Sequence, residues 1–133
     1  MSTFVDTSAF IAVISPSDSG HQKAAQTWRG LLRNGEELTT SSYVIIETIS
    51  LLHRRSGTAA VRQFIDAVVP PIQVVWTAHV MHNQAVADML AYQGRSGPSL
   101  VDCLSFEIMR RYRIRDVFAY DGHFTDRGFN LIG

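Results

Sequence analysis

The sequence contains a single cysteine, Cys103, among its 133 residues. One cysteine excludes an intramolecular disulfide and argues against a metal site built on thiolates. Cys103 falls inside a predicted helix, where a buried structural thiol is the expected role. The histidines form no H-E-x-x-H motif, which argues against a zinc site.

Long apolar runs are also missing. No stretch approaches the roughly 20 residues that a membrane-spanning helix needs. The first residues carry no basic segment, and Asp6-Thr7-Ser8 interrupts their apolar pattern, which argues against a secretory signal peptide. Internal repeats, low-complexity segments and linkers are absent too. We therefore expect one soluble domain over residues 1–133, cytoplasmic and not bound to a membrane.

An excess of charge of one sign is the third absence. The 12 basic residues balance 12 acidic ones, so bulk charge does not indicate a nucleic-acid-binding protein. Lysine itself is almost missing, because every basic side chain except Lys23 is arginine. The planar guanidinium suits phosphates and carboxylates, but a compositional bias of the genome explains the preference at least as well.

Hydrophobic residues make up 46% of the chain, enough for a sizeable core. Short apolar runs alternate with segments of helical periodicity. The predicted strands are 3–6, 37–40, 72–76, 116–120 and 129–132, and the predicted helices are 7–14, 19–34, 42–55, 58–68, 78–93 and 99–112. Because the strands are apolar throughout, they are typical of a sheet that is covered on both faces. The pattern predicts a parallel α/β sandwich.

Two of the predicted strands end at a carboxylate. Asp6 ends the apolar run Phe4-Val5, and Asp121 follows the run 117–120. In open parallel sheets, ligands bind beyond the carboxyl ends of the strands, where the strand order reverses. If these two strands are neighbours at that reversal, the carboxylates meet at one edge. A helix cap explains either aspartate alone, but two such residues favour a site.

Glu47 interrupts an apolar helix. Ile45, Ile46 and Ile49 flank it, and its neighbours at helical spacing leave no solvated face. A buried, unpaired carboxylate is costly, so a metal ion or an arginine must compensate unless the helix end is open to solvent. The functional interpretation is the favoured one for this residue.

Asp102 allows two interpretations that the sequence leaves equal. It follows Ser99 by three residues, the spacing of a capping box at a helix start. It also shares one helix face with Ser99 and Ser105, and that polar stripe could face a cavity.

Four acids thus come from four different elements: Asp6, Glu47, Asp102 and Asp121. Carboxylates that lie close together raise one another's pKa, and a hard divalent cation with oxygen ligands makes such a cluster tolerable. A cation of this kind lowers the pKa of bound water and neutralises charge on a phosphoryl oxygen. No Ser or Cys triad is visible, so the cluster favours metal-dependent phosphodiester hydrolysis.

Four segments, in this order, resemble the motifs of a known family. They are "FVDTSAFIAV" (4–13), "SSYVIIETISLLHRRSG" (41–57), "SLVDCLSFEIMRR" (99–111) and "VFAYDGHFTDRGF" (117–129). With them the chain resembles the PIN-domain family and, within it, the VapC-like toxins of bacterial toxin–antitoxin operons. The resemblance extends over nearly the whole chain.

The resemblance implies a three-layer sandwich in which helices cover both faces of a five-stranded parallel sheet. It implies an endoribonuclease that depends on Mg²⁺ or Mn²⁺ and cleaves structured RNA, such as tRNA or ribosomal RNA loops. The implied catalytic residues and metal ligands are Asp6, Glu47, Asp102 and Asp121. The implied partners are a second copy of the chain, in a homodimer, and a small cognate antitoxin.

One position departs from the family pattern. The family often has Ser or Thr two residues before the fourth acid, where this chain has Ala119. A hydroxyl that would help to orient metal-bound water is therefore missing there. Ser8 and Ser105 are the candidates to replace it.

Other residues are candidates for substrate contact. Arg110 and Arg111 suit RNA phosphates, although cations at a helix C-terminus need no such explanation. His123 follows Asp121 closely, but a packed, hydrogen-bonded histidine is the favoured interpretation. Tyr43 and Tyr120 lie beside two of the acids and are candidates for base stacking, with core packing favoured for both.

Two other functions compete with the nuclease. A phosphoacceptor or phosphatase on a similar sheet needs a D-x-D pair and a lysine near the phosphate, which Asp6 and Lys23 do not provide. The main alternative is a catalytically impaired PIN-like module that acts by binding a partner or RNA, and Ala119 keeps it open. The RNA target, the number of metal ions and the identity of the antitoxin are left open by the sequence.

Overall fold

The computed structural model describes residues 1–133, in which strands and helices alternate. The strands are β1 (Ser2–Val5), β2 (Glu37–Ser41), β3 (Ile72–Val75), β4 (Asp116–Phe118) and β5 (Asn130–Ile132). The helices are α1 (Thr7–Ile14), α2 (His21–Arg33), α3 (Ser42–Ser56), α4 (Thr58–Gln63), α5 (His79–Leu90), α6 (Leu100–Arg111) and α7 (His123–Asp126), and a π-helical turn (Phe64–Val68) continues α4.

All five strands pair in parallel, in the order β3-β2-β1-β4-β5. The chain moves outward from β1 to β3 on one side and then returns to β4 and β5 on the other. Because crossovers between parallel strands are right-handed, α1 to α4 cover one face of the sheet and α5 and α6 cover the opposite face. Accordingly, α1 packs on α2 and α3, and α5 packs on α6. The predicted five-stranded α/β sandwich is confirmed.

The strand order reverses between β1 and β4. These strands pair directly, with Val5 opposite Phe118, and the backbone N–H of Asp6 donates a 3.0 Å hydrogen bond to the carbonyl of Phe118. The first and fourth strands are therefore neighbours, as the argument from Asp6 and Asp121 required.

The core is one cluster of buried apolar side chains on both sides of the sheet. Phe10 and Phe64 meet edge to face with ring centroids 5.0 Å apart, and Phe106 and Phe124 do so at 5.1 Å. Burial of each such ring stabilises the fold by about 2–3 kcal/mol. Cys103 lies fully inside this core, and burial raises the pKa of its thiol to about 11. The prediction of a buried structural thiol is confirmed.

Some element boundaries differ from the sequence-based predictions. Strand β4 ends at Phe118 rather than at residue 120, because the N–H of Tyr120 bonds to the Ser8 hydroxyl instead of to a strand. Helix α2 begins at His21 rather than at residue 19, because a turn held by Asp18 and Gly20 precedes it. Helix α3 ends where predicted, at Gly57, whose φ of 83° suits glycine.

None of the helices has the length and apolar character required to cross a bilayer.

Candidate metal centre

A cavity of about 670 Å³ opens at the carboxyl ends of β1 and β4. Asp6 enters it from the end of β1 and Asp121 from the segment after β4. Glu47 reaches it from α3, and Asp102 from the first turn of α6. The four acids singled out in the sequence therefore lie on the wall of one cavity.

Asp6 caps helix α1 and faces the cavity at the same time. Its Oδ2 atom accepts hydrogen bonds from the backbone N–H (3.1 Å) and the hydroxyl (2.6 Å) of Ser8, whereas Oδ1 accepts none. Burial raises the pKa of Asp6 above the usual value, and the charges of Asp121 and Glu47 raise it further. The cap therefore occupies one oxygen and leaves the other free.

In Asp102, too, one carboxylate oxygen is hydrogen-bonded and the other is free. Its Oδ2 accepts the N–H of Ser99 at 3.1 Å, and its own N–H donates to Ser99 Oγ at 3.1 Å, which completes a capping box. The Oδ1 atom accepts no hydrogen bond. Burial raises the pKa of Asp102 to about 6, with contributions from the charges of Asp121 and Asp6. Asp102 therefore both caps the helix and lines the cavity, as does Ser99, whereas Ser105 of the same stripe does not line it.

Asp121 and His123 complete the tightest group of potential ligands. One ligand atom from each of Asp102, Asp121 and His123 lies within 4.8 Å of the other two. Asp121 Oδ1 accepts the backbone N–H of His123 at 2.9 Å, which leaves Oδ2 free. Because its ring belongs to this group, His123 is placed at the acid cluster rather than packed away from it.

Glu47 is less buried than the sequence indicated. Its side chain is partly exposed on the cavity wall, because the helix packs with only part of its apolar surface and leaves even Ile46 58% exposed. The prediction that Glu47 has no solvated face is wrong. Its carboxylate lies near enough to Asp6 to raise the pKa of that residue, but both Glu47 and Asp6 lie outside the 4.8 Å group.

Ser8, rather than Ser105, supplies a hydroxyl near the acids. Ser8 Oγ bonds to Asp6 and also accepts the backbone N–H of Tyr120 at 3.0 Å. Ser105 is fully buried and donates its hydroxyl hydrogen to the carbonyl of Val101 at 2.9 Å. Because Ser105 does not reach the cavity, the prediction that it replaces the missing hydroxyl at Ala119 is wrong.

Arg110 and Arg111 lie outside the cavity. Both pair with Glu107 on their own helix, with N–O distances of 3.4 and 2.7 Å. These contacts and the helix C-terminus account for their position. Their contact with RNA stays a prediction.

Two residues of the cavity wall, Arg55 and Tyr120, were not assigned to it from the sequence. Arg55 lines it, and the signal was its spacing of eight residues from Glu47 on the same helix face. Tyr120 also lines it and is 44% exposed, so the core-packing interpretation was wrong for this tyrosine. Tyr43, in contrast, is half-buried and bonded to His82, in accord with core packing.

The donor set fits a hard divalent cation. Asp6, Asp102 and Asp121 each anchor one carboxylate oxygen on a backbone N–H and keep one oxygen free. Oxygen ligands with a carboxylate majority are those that Mg²⁺ and Mn²⁺ prefer. Like charges this close are unfavourable without a cation, and no lysine or arginine is paired with them.

A parallel sheet with an acid cluster at the carboxyl ends of its central strands defines a PIN-domain protein. The family model for the PIN domain matches residues 3–130, and the chain belongs to this family. Among characterised relatives it is similar to the 23S rRNA-specific endonuclease VapC20 of Mycobacterium tuberculosis. The two are 33% identical over 129 residues, which covers 95% of this chain and 94% of VapC20.

Solved structures of similar proteins superpose on the chain over nearly its whole length. The crystal structure of M. tuberculosis VapC20, described as a toxin that cleaves the sarcin–ricin loop, superposes with a TM-score of 0.82 and 30% identity over 96% of this chain and 95% of that one. FitAcB of Neisseria gonorrhoeae has a TM-score of 0.70 at 9% identity, with 100% and 97% coverage. VapBC2 of Rickettsia felis, bound to promoter DNA, has 0.70 at 11%, with 99% and 98% coverage. The last two show the fold alone.

Proposed function

We propose that the chain is a metal-dependent endoribonuclease and the toxin of a toxin–antitoxin pair. The observation that carries the proposal is the convergence of four acids on one cavity where the strand order reverses. The similarity to VapC20 supports ribosomal RNA as the substrate, with the sarcin–ricin loop of 23S rRNA as the first target to test. The protein acts in the cytoplasm, where this RNA is found.

Mg²⁺ or Mn²⁺ would be held by the free oxygens of Asp102 and Asp121, which belong to the 4.8 Å group, together with the free oxygen of the nearby Asp6. When bound, such an ion supplies a water of lowered pKa and neutralises charge on the phosphate. The backbone N–H bonds to the other oxygens fix the orientation of the three carboxylates before substrate arrives.

The remaining residues of the site have separate tasks. Ser8 holds Asp6 in place through the 2.6 Å hydrogen bond. Glu47 lines the cavity from α3 with a partly exposed carboxylate, and in this proposal it would orient a water or accept its proton. His123 adds an imidazole to the group formed with Asp102 and Asp121 and would contact the RNA there.

The proposal includes a homodimer and a small antitoxin, as in the VapC-like toxins that the chain resembles. Ile46, Trp76 and Val80 are 58%, 74% and 61% exposed. They lie near the starts of α3 and α5, which the Tyr43–His82 hydrogen bond joins. Large exposed apolar side chains of this kind are typical of a surface that another chain covers. Light scattering of the purified protein, alone and co-expressed with the product of a short adjacent gene, tests both partners.

Cleavage of a synthetic 23S sarcin–ricin hairpin tests the enzymatic function. The wild-type protein should cut it with Mn²⁺ or Mg²⁺ and not with EDTA. Asp6→Asn and Asp121→Asn should each lower the rate by at least about 100-fold, the scale for loss of one directly acting electrostatic group. Asp66→Asn, at an exposed acid outside the cavity, is the matched control. Cleavage that survives both EDTA and Asp6→Asn would overturn the proposal.

The alternative is a PIN-like module that has lost catalysis and acts by binding a partner or RNA. Ala119, in place of the hydroxyl residue that is common in the family, is the observation that favours it. Calorimetric titration with Mn²⁺ separates the two. Absence of binding at millimolar metal would favour the impaired module, whereas binding that Asp102→Asn abolishes would favour the nuclease.

A further inference from the structure

Arg55 is the only cationic side chain on the wall of the cavity that holds the acid cluster. Glu47, Leu51 and Arg55 follow one another at steps of four along α3 and all line the cavity. Eight residues of helix place Arg55 about 12 Å from Glu47 along the axis. No ion pair joins Arg55 to Glu47 or to Asp18, the fifth acid that lines the cavity.

The guanidinium of Arg55 has no partner within the chain, unlike those of three other arginines. Arg127 bonds to Asp88, and Arg110 and Arg111 pair with Glu107. No ion pair or hydrogen bond holds the Arg55 side chain. Its five N–H donors are therefore available to a ligand that enters the cavity.

We infer that Arg55 is a substrate-positioning residue that binds an RNA phosphate next to the one being cleaved. The inference rests on the proposed ribonuclease function. A polyanion that approaches four carboxylates is repelled even when a divalent cation offsets part of their charge. An arginine at the far end of the same cavity counters this repulsion, and its planar fork holds a phosphate through two hydrogen bonds.

Because Arg55 lies at a fixed place on the cavity wall, it can position the RNA as well as attract it. The phosphate to be cut must lie over the acid cluster, and Arg55 is fixed to the same helix as Glu47. A phosphate held by Arg55 therefore sets which neighbouring phosphodiester bond reaches the acids. Phosphate contacts of this type determine register and carry no base specificity.

Arg54 provides a matched control for Arg55. Both arginines are exposed in the last turn of α3, and they share charge, size and the same relation to the helix C-terminus. Arg54 does not line the cavity. Arg54→Ala and Arg55→Ala should leave the melting temperature equally close to that of the wild type. Only Arg55→Ala removes a side chain from the cavity wall.

The test measures RNA binding as well as cleavage. Binding is followed by fluorescence anisotropy in an Asp102→Asn background, which keeps the RNA intact. The probes are a 23S sarcin–ricin hairpin and an unstructured RNA of the same length. Arg55→Ala should weaken binding of both by roughly 10-fold and lower the slope of log K against log salt by about 0.7–0.9, the value for one lost phosphate contact. Arg54→Ala should change affinity less than about twofold.

Kinetics in the otherwise wild-type protein provide a second readout. Arg55→Ala should raise KM with a smaller change in kcat and should spread cleavage over neighbouring bonds, and Arg55→Lys should restore part of the affinity. Equal salt slopes and KM values for Arg54→Ala and Arg55→Ala, in a protein that still cleaves RNA, would overturn the inference alone. A wild-type protein that neither binds nor cleaves either RNA would overturn the proposed function with it.

Discussion

The hydroxyl of Ser8 donates a 2.6 Å hydrogen bond to Asp6 Oδ2 and accepts a 3.0 Å hydrogen bond from the backbone N–H of Tyr120. It thereby joins the carboxylate after β1 to the segment after β4, across 112 residues of sequence. This bridge stands beside Ala119, where the family often has a hydroxyl side chain.

Ser8→Ala should weaken binding of Mn²⁺ by about 10-fold, because loss of a group that orients a ligand typically costs 10- to 100-fold in affinity. Isothermal titration calorimetry measures the change. Ser105→Ala is the control, since it removes a hydroxyl that bonds only to the Val101 carbonyl on the same helix. Equal metal affinity of the Ser8→Ala variant and the wild type would contradict a role of this bridge.

The metal-free protein should lose stability as the pH rises from about 4 to about 6. The folded-state pKa of Asp102 is about 6, against an ordinary value of 3.8, and that of Asp6 is raised as well. Between these values the folded state binds protons that the unfolded state has released, so the free energy of unfolding falls with pH, by up to about 3 kcal/mol for Asp102. Urea unfolding in EDTA at a series of pH values measures this decrease.

Asp102→Asn should flatten that pH profile and stabilise the metal-free protein at neutral pH, because the amide keeps an acceptor for the N–H of Ser99. Mn²⁺ should then raise the melting temperature of the wild type at neutral pH, much less at about pH 5. Asp66→Asn should behave like the wild type in both respects. A wild-type stability that does not depend on pH in this interval would contradict the raised pKa values.

Arg127 and Asp88 form the most enclosed ion pair of the molecule. Two nitrogens of Arg127 donate to the two carboxylate oxygens of Asp88 at 3.1 and 3.0 Å, and the guanidinium lies 4.7 Å from the Phe106 ring centroid. Arg127→Ala should lower the free energy of unfolding by about 2 kcal/mol, because it removes charge-assisted hydrogen bonds to a partly buried carboxylate. Urea denaturation measures the loss.

Two comparisons sharpen this prediction. Arg110→Ala should cost less than about 1 kcal/mol, because Arg110 is 48% exposed and lies 4.0 Å from Asp88. The hydrogen bonds from Arg127 hold the pKa of Asp88 below its usual value, so the stability from this pair is present above about pH 4 and is lost as the pH falls further. Equal losses for the two alanine variants would contradict the assignment.

Tyr120 should contribute to RNA binding through its ring. It is 44% exposed beside Asp121 and lines the cavity, and stacking of a base on an aromatic ring contributes about 1–3 kcal/mol. Tyr120→Ala should therefore weaken binding of the sarcin–ricin hairpin by roughly 10-fold, whereas Tyr120→Phe should keep it. Tyr112→Ala is the control, since Tyr112 is 47% exposed but lies outside the cavity.

The fold could be predicted because its signals are local. Apolar runs, glycines and capping residues mark most elements to within a few residues, and parallel strands bring Asp6 and Asp121 to one edge. The end of β4 could not be predicted this way. It depends on the bond from the Tyr120 N–H to Ser8, whose partner lies 112 residues away.

The site was harder to predict where one residue has two roles. For Asp102 the sequence presents helix capping and a place on a cavity wall as alternatives, yet a carboxylate has two oxygens: one accepts the N–H of Ser99, and the other accepts no hydrogen bond and stays free on the cavity side. The exposure of Glu47 depends on how much of α3 the neighbouring helices cover, which periodicity does not reveal. The sequence likewise does not reveal that Arg55 lacks an ion-pair partner, because this depends on which acids lie near it in the folded protein.

The central position of β1 means that the acid cluster is assembled from distant parts of the polypeptide. Asp6 is made early in synthesis, but its neighbour β4 is made only after three other strands and six helices. A nascent or truncated chain that ends before β4 lacks both a wall of the cavity and Asp121. The acid cluster is therefore complete only after β4 and the segment that carries Asp121 have been made.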